Sequence, residues 1–275
     1  MSDIVLVASI AALFGLLIGS FLNVCIFRLP RDLSVVHPRS FCIACEKQIA
    51  WYDNIPVLSY LILGAKCRNC AAPVSWRYPA VELITGLLFF ASVMRFGATP
   101  DAIKLCIFCA LIVGLTFMDF EERILADEFT VGGMIFGFLL SFFVPMPTFI
   151  GHFILPSSWR ESFLSLGEAL LGGLLPAFVL WGIGELYYRL RGREGLGFGD
   201  VKMIAMIGAF YGLQGSLVTL IFGSLAGSIL GLLFIAISKK DAASYELPFG
   251  SFLGVAALVP PFFYVEASSG IVVPW

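Results

Sequence analysis

The sequence predicts an all-α polytopic membrane protein with about eight transmembrane helices and one small polar loop module. Hydrophobic residues make up 59% of the 275 positions and charged residues only 13%, whereas soluble domains carry about 25% charged residues. Mean hydropathy is +0.95. Apolar segments near the ~20 residues that cross a bilayer recur along the chain. Together these observations predict a chain built for a membrane.

The first apolar segment, Ile4 to Phe27, is too long for a signal-peptide core. It also has no basic start and no small-residue cleavage site, so we expect a retained transmembrane helix. The sixth segment is short and contains glycine, which favours a tilted or partly broken helix. The seven later spans are predicted at about 79–97, 102–118, 130–149, 165–188, 203–215, 217–237 and 247–267.

Lysine and arginine predict the orientation of these spans, because positively charged loops stay cytoplasmic. Fourteen of the 17 basic residues fall in four polar segments, 28–78, 119–130, 189–202 and 239–247. Alternating spans place all four segments on one face. We therefore expect these loops in the cytoplasm and the N-terminus on the other side.

Four cysteines in the first polar segment form two Cys-x-x-Cys pairs separated by 21 residues: Cys42, Cys45, Cys67 and Cys70. This spacing is typical of a structural four-thiolate zinc site. Two disulfides or four idle thiols are the alternatives, although disulfides are rare in the cytoplasm. The predicted module is thus a zinc-stapled cytoplasmic loop. For Cys25, Cys106 and Cys109, which lie in apolar spans, packing is the favoured interpretation.

Two aspartates stand at span ends, where a buried acid is costly and marks a functional candidate. Asp119 ends the third span, and Asp200 opens the sixth after the sequence Gly197-Phe198-Gly199. The predicted topology brings both to the cytoplasmic edge. Two adjacent carboxyls share one proton and can activate water against a peptide carbonyl. Gly197 and Gly199 would permit close substrate approach and backbone conformations closed to other residues. The alternative is that Asp200 only caps its helix.

With these residues in place, the chain resembles the type IV prepilin peptidases over nearly its whole length. The resemblance rests on segments in the family's order: Gly19-Ser20-Phe21-Leu22-Asn23-Val24, Arg28-Leu29-Pro30, Trp51 to Ser59, the cysteine pairs, Ser75-Trp76-Arg77-Tyr78-Pro79, Glu82, the Asp119 segment, the Gly-x-Gly-Asp segment and Leu247-Pro248-Phe249-Gly250. Members serve type IV pili and type II secretion in the bacterial inner membrane.

The resemblance implies a two-step reaction on prepilins or pseudopilins. Asp119 and Asp200 match the aspartates that cleave after a glycine, and the new terminal amine, usually of phenylalanine, is then methylated from S-adenosylmethionine. The family associates its cysteine loop with methyl transfer, and we carry over Glu82 and Asn23 as methyl-donor residues. The implied regions are a first helix at 1–27, the loop at 28–78 and a peptidase domain at 79–275.

The chain departs from the family pattern at two positions. Ala126 replaces a usual proline before Asp127, and Ala65 replaces a usual glycine two residues before the third cysteine. Because Asp127 is retained, we expect the peptidase to survive the first change. The second change, at Ala65, argues against methyl transfer more than against cleavage.

Acids clustered around Asp119, with a single arginine among them, suggest that this edge attracts a basic leader. They are Glu121, Glu122, Asp127 and Glu128. An ordinary solvated loop is the alternative. A net charge of −2 without a basic run argues against nucleic-acid partners. Other functions that fit membrane-edge acids are a transporter or channel with an acidic ion path, and a peptidase that lacks the methyltransferase.

Overall fold

The computed structural model describes residues 2–146, 160–193, 195–238 and 248–263. All regular elements in these ranges are helical, and pairing between extended segments is limited to two isolated β-bridges. The α-helices are α1 (Ser2–Arg28), α2 (Leu58–Ile62), α3 (Arg77–Phe96), α4 (Pro100–Glu122), α5 (Asp127–Phe143), α6 (Glu161–Arg191), α7 (Phe198–Ser238) and α8 (Phe249–Phe263). Short 3-10 turns occur at Leu29–Arg31 and Trp51–Asn54.

The prediction of an all-α membrane protein is confirmed. Among the described residues, five helices are long and apolar enough to cross a bilayer: α1, α3, α4, α6 and α7. Helix α5 has 17 residues and α8 has 15, both shorter than the ~20 residues of a typical span. The count of eight spans therefore stays a prediction. Residues 147–149, 247 and 264–267 of two predicted spans lie outside the described ranges.

The predicted sixth and seventh spans form one helical run, α7, which is interrupted at Gly212. Gly212 has φ +68°, a left-handed conformation that favours glycine. The interruption leaves backbone amides without partners inside the helix. The buried carboxylate of Glu168, on α6, accepts a hydrogen bond of 3.4 Å from the Leu213 amide. A buried acid of α6 thus partners a backbone amide at the break in α7.

The chain forms two compact units, Met1–Gly114 and Leu115–Trp275, and the boundary falls inside α4. In the N-terminal unit, α1 and α3 pack closely through small residues. A Cβ atom at Gly19 would lie 2.7 Å from the Glu82 Cα, and one at Gly15 would lie 2.8 Å from the Gly86 Cα. Such contacts are typical of helix packing in membranes. The functional regions at 1–27, 28–78 and 79–275 remain predictions.

Candidate functional site

Two acidic side chains from distant parts of the sequence meet in the C-terminal unit. Asp119 lies in the last turn of α4 and Asp200 in the first turn of α7. They are only 6% and 9% exposed. A Cβ atom at Gly250 would lie 3.0 Å from Asp119 Cγ and 3.1 Å from Asp200 Oδ1. Each carboxyl therefore lies about 3 Å from the same point. Two neighbouring carboxyl groups cannot both ionise easily.

The start of α8 anchors one of these carboxyls. The Ser251 backbone N–H donates to Asp119 Oδ2 at 2.6 Å, and the Ser251 hydroxyl lies 2.8 Å from the same oxygen. The hydroxyl also lies 3.1 Å from the Thr116 carbonyl oxygen on α4. One end of α8 is thus tied to both the backbone and the acid of α4.

Glycine spacing on α8 explains how that helix approaches so closely. Gly250 and Gly254 are four residues apart and share a helix face. A Cβ at Gly254 would lie 2.0 Å from Thr116 Oγ1, a position that no real side chain could occupy. The sequence points to Gly250 only through the family resemblance, and it gives no sign of the role of Ser251. The Gly-x-x-x-Gly spacing, a signature of close helix packing, is the sequence signal that could have pointed to this contact.

The two glycines before Asp200 stand where a side chain would contact neighbouring groups, and neither has an unusual backbone conformation. Neither Gly197 nor Gly199 has a positive φ angle, which corrects the conformational part of the expectation. A Cβ at Gly199 would lie 3.1 Å from the Leu125 Cβ, and one at Gly197 would lie 3.3 Å from Asp200 Oδ2. Both positions are therefore close to the carboxyl pair or its neighbours.

The segment between α4 and α5 carries the other predicted supporting residues. Ala126 has φ −64°, the value to which proline is fixed, so the missing proline leaves the backbone geometry in place. Asp127 opens α5 and forms an ion pair with Lys202 of α7. Glu121 lies exposed in the last turn of α4. Both acids are exposed, so neither belongs to the buried pair.

The four predicted metal-ligating cysteines converge in the N-terminal unit. Their sulfur atoms lie within 4.8 Å of one another, and Cys42 Sγ is 3.8 Å from Cys70 Sγ. Sulfur atoms around a tetrahedral zinc ion, each about 2.3 Å from the metal, are spaced about 3.8 Å apart. All seven cysteines are free thiols, so the two-disulfide alternative is wrong.

Backbone amides favour a thiolate at one cysteine of this cluster, Cys67. The amides of Cys70 and Asn69 point at the Cys67 sulfur and lower the pKa of its thiol to about 7. The thiolate is the form that binds metals. The donor set and its spacing therefore fit a zinc ion, which would be held by Cys42, Cys45, Cys67 and Cys70.

The two Cys-x-x-Cys segments are structural copies of each other, 25 residues apart. The Cys42 amide donates to the Lys47 carbonyl and the Cys67 amide to the Ala72 carbonyl, both at 2.9 Å. Bridges pair Phe41 with Gln48 and Lys66 with Pro73. Each cysteine pair therefore sits in the same local turn, and the pairs supply equivalent ligands.

The second family departure falls in this repeat. Ala65 has φ +59°, a left-handed conformation that costs a non-glycine residue roughly 1–2 kcal/mol. This explains why glycine is usual at the position. The Ala65 carbonyl nevertheless accepts a 2.8 Å hydrogen bond from the Val74 amide, so the turn is closed despite the strain.

The residues predicted to serve methyl transfer lie on neighbouring helices of the N-terminal unit. Asn23 of α1 donates through Nδ2 to the Tyr78 carbonyl at 3.0 Å. Its buried Oδ1 has no donor among the described residues. Glu82 of α3 accepts a 2.7 Å hydrogen bond from the Val57 amide. Val57 has φ +60°, a strained conformation for a β-branched residue, so Glu82 holds a strained turn.

Two protein-family models match successive parts of the chain. Residues 13–96 match the bacterial peptidase A24 N-terminal domain, and residues 105–232 match the type IV leader peptidase family. No solved structure is matched.

Three curated relatives are each named prepilin leader peptidase/N-methyltransferase. The protein of Myxococcus xanthus is 40% identical over 232 residues, which cover 84% of this chain and 64% of the relative. The protein of Aeromonas hydrophila is 33% identical over 91% of this chain and 89% of its own length. That of Pseudomonas aeruginosa is 32% identical over 90% and 87%. The chain therefore belongs to the type IV leader peptidase family.

Proposed function

We propose that this chain removes the leader peptide of type IV prepilins and pseudopilins after a glycine and then methylates the new terminal amine. The names of its relatives support both activities. The observation that carries the proposal is the buried carboxyl pair, Asp119 and Asp200, at the point covered by Gly250. The arrangement suits hydrolysis of a peptide bond.

Cleavage at this pair follows from one shared proton. One carboxylate takes a proton from water as the water oxygen attacks the peptide carbonyl carbon, and the other carboxyl gives its proton to the carbonyl oxygen. Burial of both groups keeps bulk water away, which strengthens these electrostatic interactions. Asp119 and Asp200 are therefore the proposed catalytic residues, with Gly197, Gly199 and Asp127 in support.

The cysteine cluster is proposed to be a structural zinc site. Cys42, Cys45, Cys67 and Cys70 would supply all four ligands, which leaves no position for a reacting water. The ion would fix the two repeated turns against each other. It would thereby order the loop that the family associates with methyl transfer.

Methyl transfer is assigned to the N-terminal unit, with S-adenosylmethionine as donor. The unpartnered, buried Oδ1 of Asn23 fits a donor group of a bound molecule, because buried polar atoms normally have partners. The buried carboxylate of Glu82 would accept a hydrogen bond from the same bound molecule. When bound, S-adenosylmethionine supplies an electrophilic methyl group, which the freed amine takes with loss of a proton.

Location in the bacterial inner membrane, with the carboxyl pair and cysteine loop facing the cytoplasm, is part of the proposal. The five apolar helices support membrane insertion. The basic residues of the four polar segments support the orientation.

Exposed acids beside the pair are proposed to attract the basic leader. Glu121, Asp127 and Glu128 are exposed, and long-range attraction between such groups falls with added salt. The test is charge reversal at Glu121 and Glu122. An unchanged Michaelis constant with unchanged salt dependence would show an ordinary solvated loop.

Purified protein incubated with a prepilin and S-adenosylmethionine tests the proposal directly. Mass spectrometry should find the leader removed and one methyl group on the new N-terminus. Asp119→Asn and Asp200→Asn should each stop the first step. The matched control is Glu185→Gln, which removes an acid that pairs with Arg189 at 2.7 Å on α6. Normal cleavage by either aspartate variant refutes the pair.

The two alternative functions lose support. Glu168, a buried acid that an ion path could use, instead accepts a hydrogen bond at the break in α7. The relatives are named for peptidase and methyltransferase activity together, which argues against a transporter and against a peptidase alone. Transport of ions by reconstituted protein that does not cleave would reverse this choice.

A further inference from the structure

We propose that Ser251 is a positioning residue that makes the two aspartates unequal: it fixes the negative charge on Asp119 and leaves the proton on Asp200. This inference rests on the proposed peptidase function and deepens it. It assigns Asp119 as the base that activates water and Asp200 as the acid that protonates the carbonyl oxygen.

The geometry around Asp119 Oδ2 carries the inference. A backbone N–H can only donate, so the 2.6 Å contact from Ser251 makes Oδ2 an acceptor. The Ser251 hydroxyl has one proton and two acceptors within reach, and Asp119 Oδ2 at 2.8 Å is nearer than the Thr116 carbonyl at 3.1 Å. Two donors on one carboxylate oxygen favour its charged form.

The Asp200 carboxyl lacks the hydrogen-bond donors that the Asp119 carboxyl has. Among the described residues, no side chain or amide donates a hydrogen bond to its carboxyl, although the residue is only 9% exposed. A buried carboxyl without donors favours the neutral form. The shared proton of the pair therefore belongs on Asp200, and the hydrogen bonds of Ser251 set this preference.

The reaction balances with water as the second reactant. Asp119 takes one proton from water, the water oxygen forms a bond to the carbonyl carbon, and Asp200 gives its proton to the carbonyl oxygen. The resulting diol then loses its C–N bond as the leaving nitrogen takes the proton from Asp119, and one diol hydroxyl returns its proton to Asp200, which restores the starting state of the pair. The products are a carboxyl group on the leader and a free amine on the mature protein.

Few other charged groups act on Asp119. They are Asp200 on α7 and Arg123, which follows on from α4. Asp127, at the start of α5, is paired with Lys202. Helix α8 has no titratable residue between Phe249 and Phe263. Within the described part of the chain, Ser251 is therefore the neutral group whose removal should shift the protonation of Asp119.

The test compares three Ser251 variants in the full-length enzyme by their pH–rate profiles for cleavage. Ser251→Ala removes the hydroxyl, Ser251→Cys keeps the volume with a weaker donor, and Ser251→Thr keeps the donor. Loss of a hydrogen bond to a charged group should move the acid limb of kcat up by about one pH unit. At the lower pH this is about a tenfold loss of kcat, with little change in KM.

The matched control is Ser141→Ala, since Ser141 is fully buried and its hydroxyl donates to the Phe138 carbonyl on its own helix. The acid limb should move in Ser251→Ala and Ser251→Cys but not in Ser251→Thr or the control. An unmoved limb in both donor-deficient variants, or an equal shift in Ser251→Thr, overturns the inference. If Ser251→Ala does not fold, the Cys and Thr pair decides. Absence of cleavage by the unchanged enzyme would instead refute the proposed function.

Discussion

The two candidate sites are built in opposite ways. The carboxyl pair of the C-terminal unit is assembled by helix packing: three helices bring together residues separated by 81 and 51 positions, Asp119, Asp200 and Ser251. The cysteine cluster of the N-terminal unit is assembled by two local turns with the same backbone hydrogen bonds. The first site is buried and the second is partly exposed.

This difference follows from the chemistry of the two sites. Two acids that share a proton need low solvent exposure, since water would allow both to ionise. Four thiolates need only correct spacing, because the metal ion supplies the binding energy. The carboxyl site should therefore be sensitive to packing, whereas the cysteine cluster should be sensitive to metal.

Outside the two aspartates themselves, the largest expected effect comes from Gly250→Ala. The added methyl group would lie 3.0 Å from Asp119 Cγ and 3.1 Å from Asp200 Oδ1, so the carboxyls must move apart. A displacement of reacting groups by about 1 Å can cost about 100-fold in rate. We expect cleavage to fall by that order and methyl transfer on a pre-cleaved peptide to persist, both measured by mass spectrometry.

Gly182→Ala is the matched control, because a Cβ at this helical glycine on α6 meets nothing within 4 Å. It should cleave normally. Full cleavage by Gly250→Ala would mean that packing at this point does not position the aspartates.

The second effect concerns the metal. Cys42→Ser removes one of the four converging cysteines and should abolish the proposed zinc binding, with a fall in methyl transfer of at least about tenfold. Cleavage should remain. Elemental analysis of the purified protein gives the zinc content, and Cys106→Ser, a cysteine outside the cluster, should keep it. Equal loss of both activities would show that the two sites are not separable.

The same contrast decides how much of each site the sequence can predict. The cysteine spacing predicts the cluster, because its ligands are held by short local turns. The distribution of basic residues predicts that both aspartates share one membrane edge. Ser251 cannot be found this way, since its contact with Asp119 depends on how α8 packs against α4. The break at Gly212 is also missed, because it depends on a Glu168 carboxylate 44 positions away in sequence.

A smaller effect is expected at the rim of the carboxyl site. Asp127→Asn removes an ion pair with Lys202 in which the Asp127 side chain is 64% exposed. Exposed pairs contribute about 0.2–1 kcal/mol, so we expect cleavage to fall by no more than about fivefold. Steady-state kinetics at low and high salt measure this. A hundredfold loss would place Asp127 among the catalytic groups.

The smallest effect is a gain of stability in the N-terminal unit. Ala65→Gly relieves a left-handed alanine at φ +59°, and we expect the free energy of unfolding of the metal-free loop to rise by about 1 kcal/mol. Hydrogen exchange of the Val74 amide, which bonds to the Ala65 carbonyl, reports the change. Faster exchange in the variant would contradict the strain at this turn.

The most direct test measures both reactions in the same sample of Asp119→Asn and of Asp200→Asn. Each variant receives an intact prepilin and, separately, a pre-cleaved peptide with S-adenosylmethionine. We predict that cleavage falls at least about 100-fold in both variants, while methylation of the pre-cleaved peptide continues. Cleavage at the normal rate in either variant would contradict the claim that the two buried carboxyls carry out hydrolysis together.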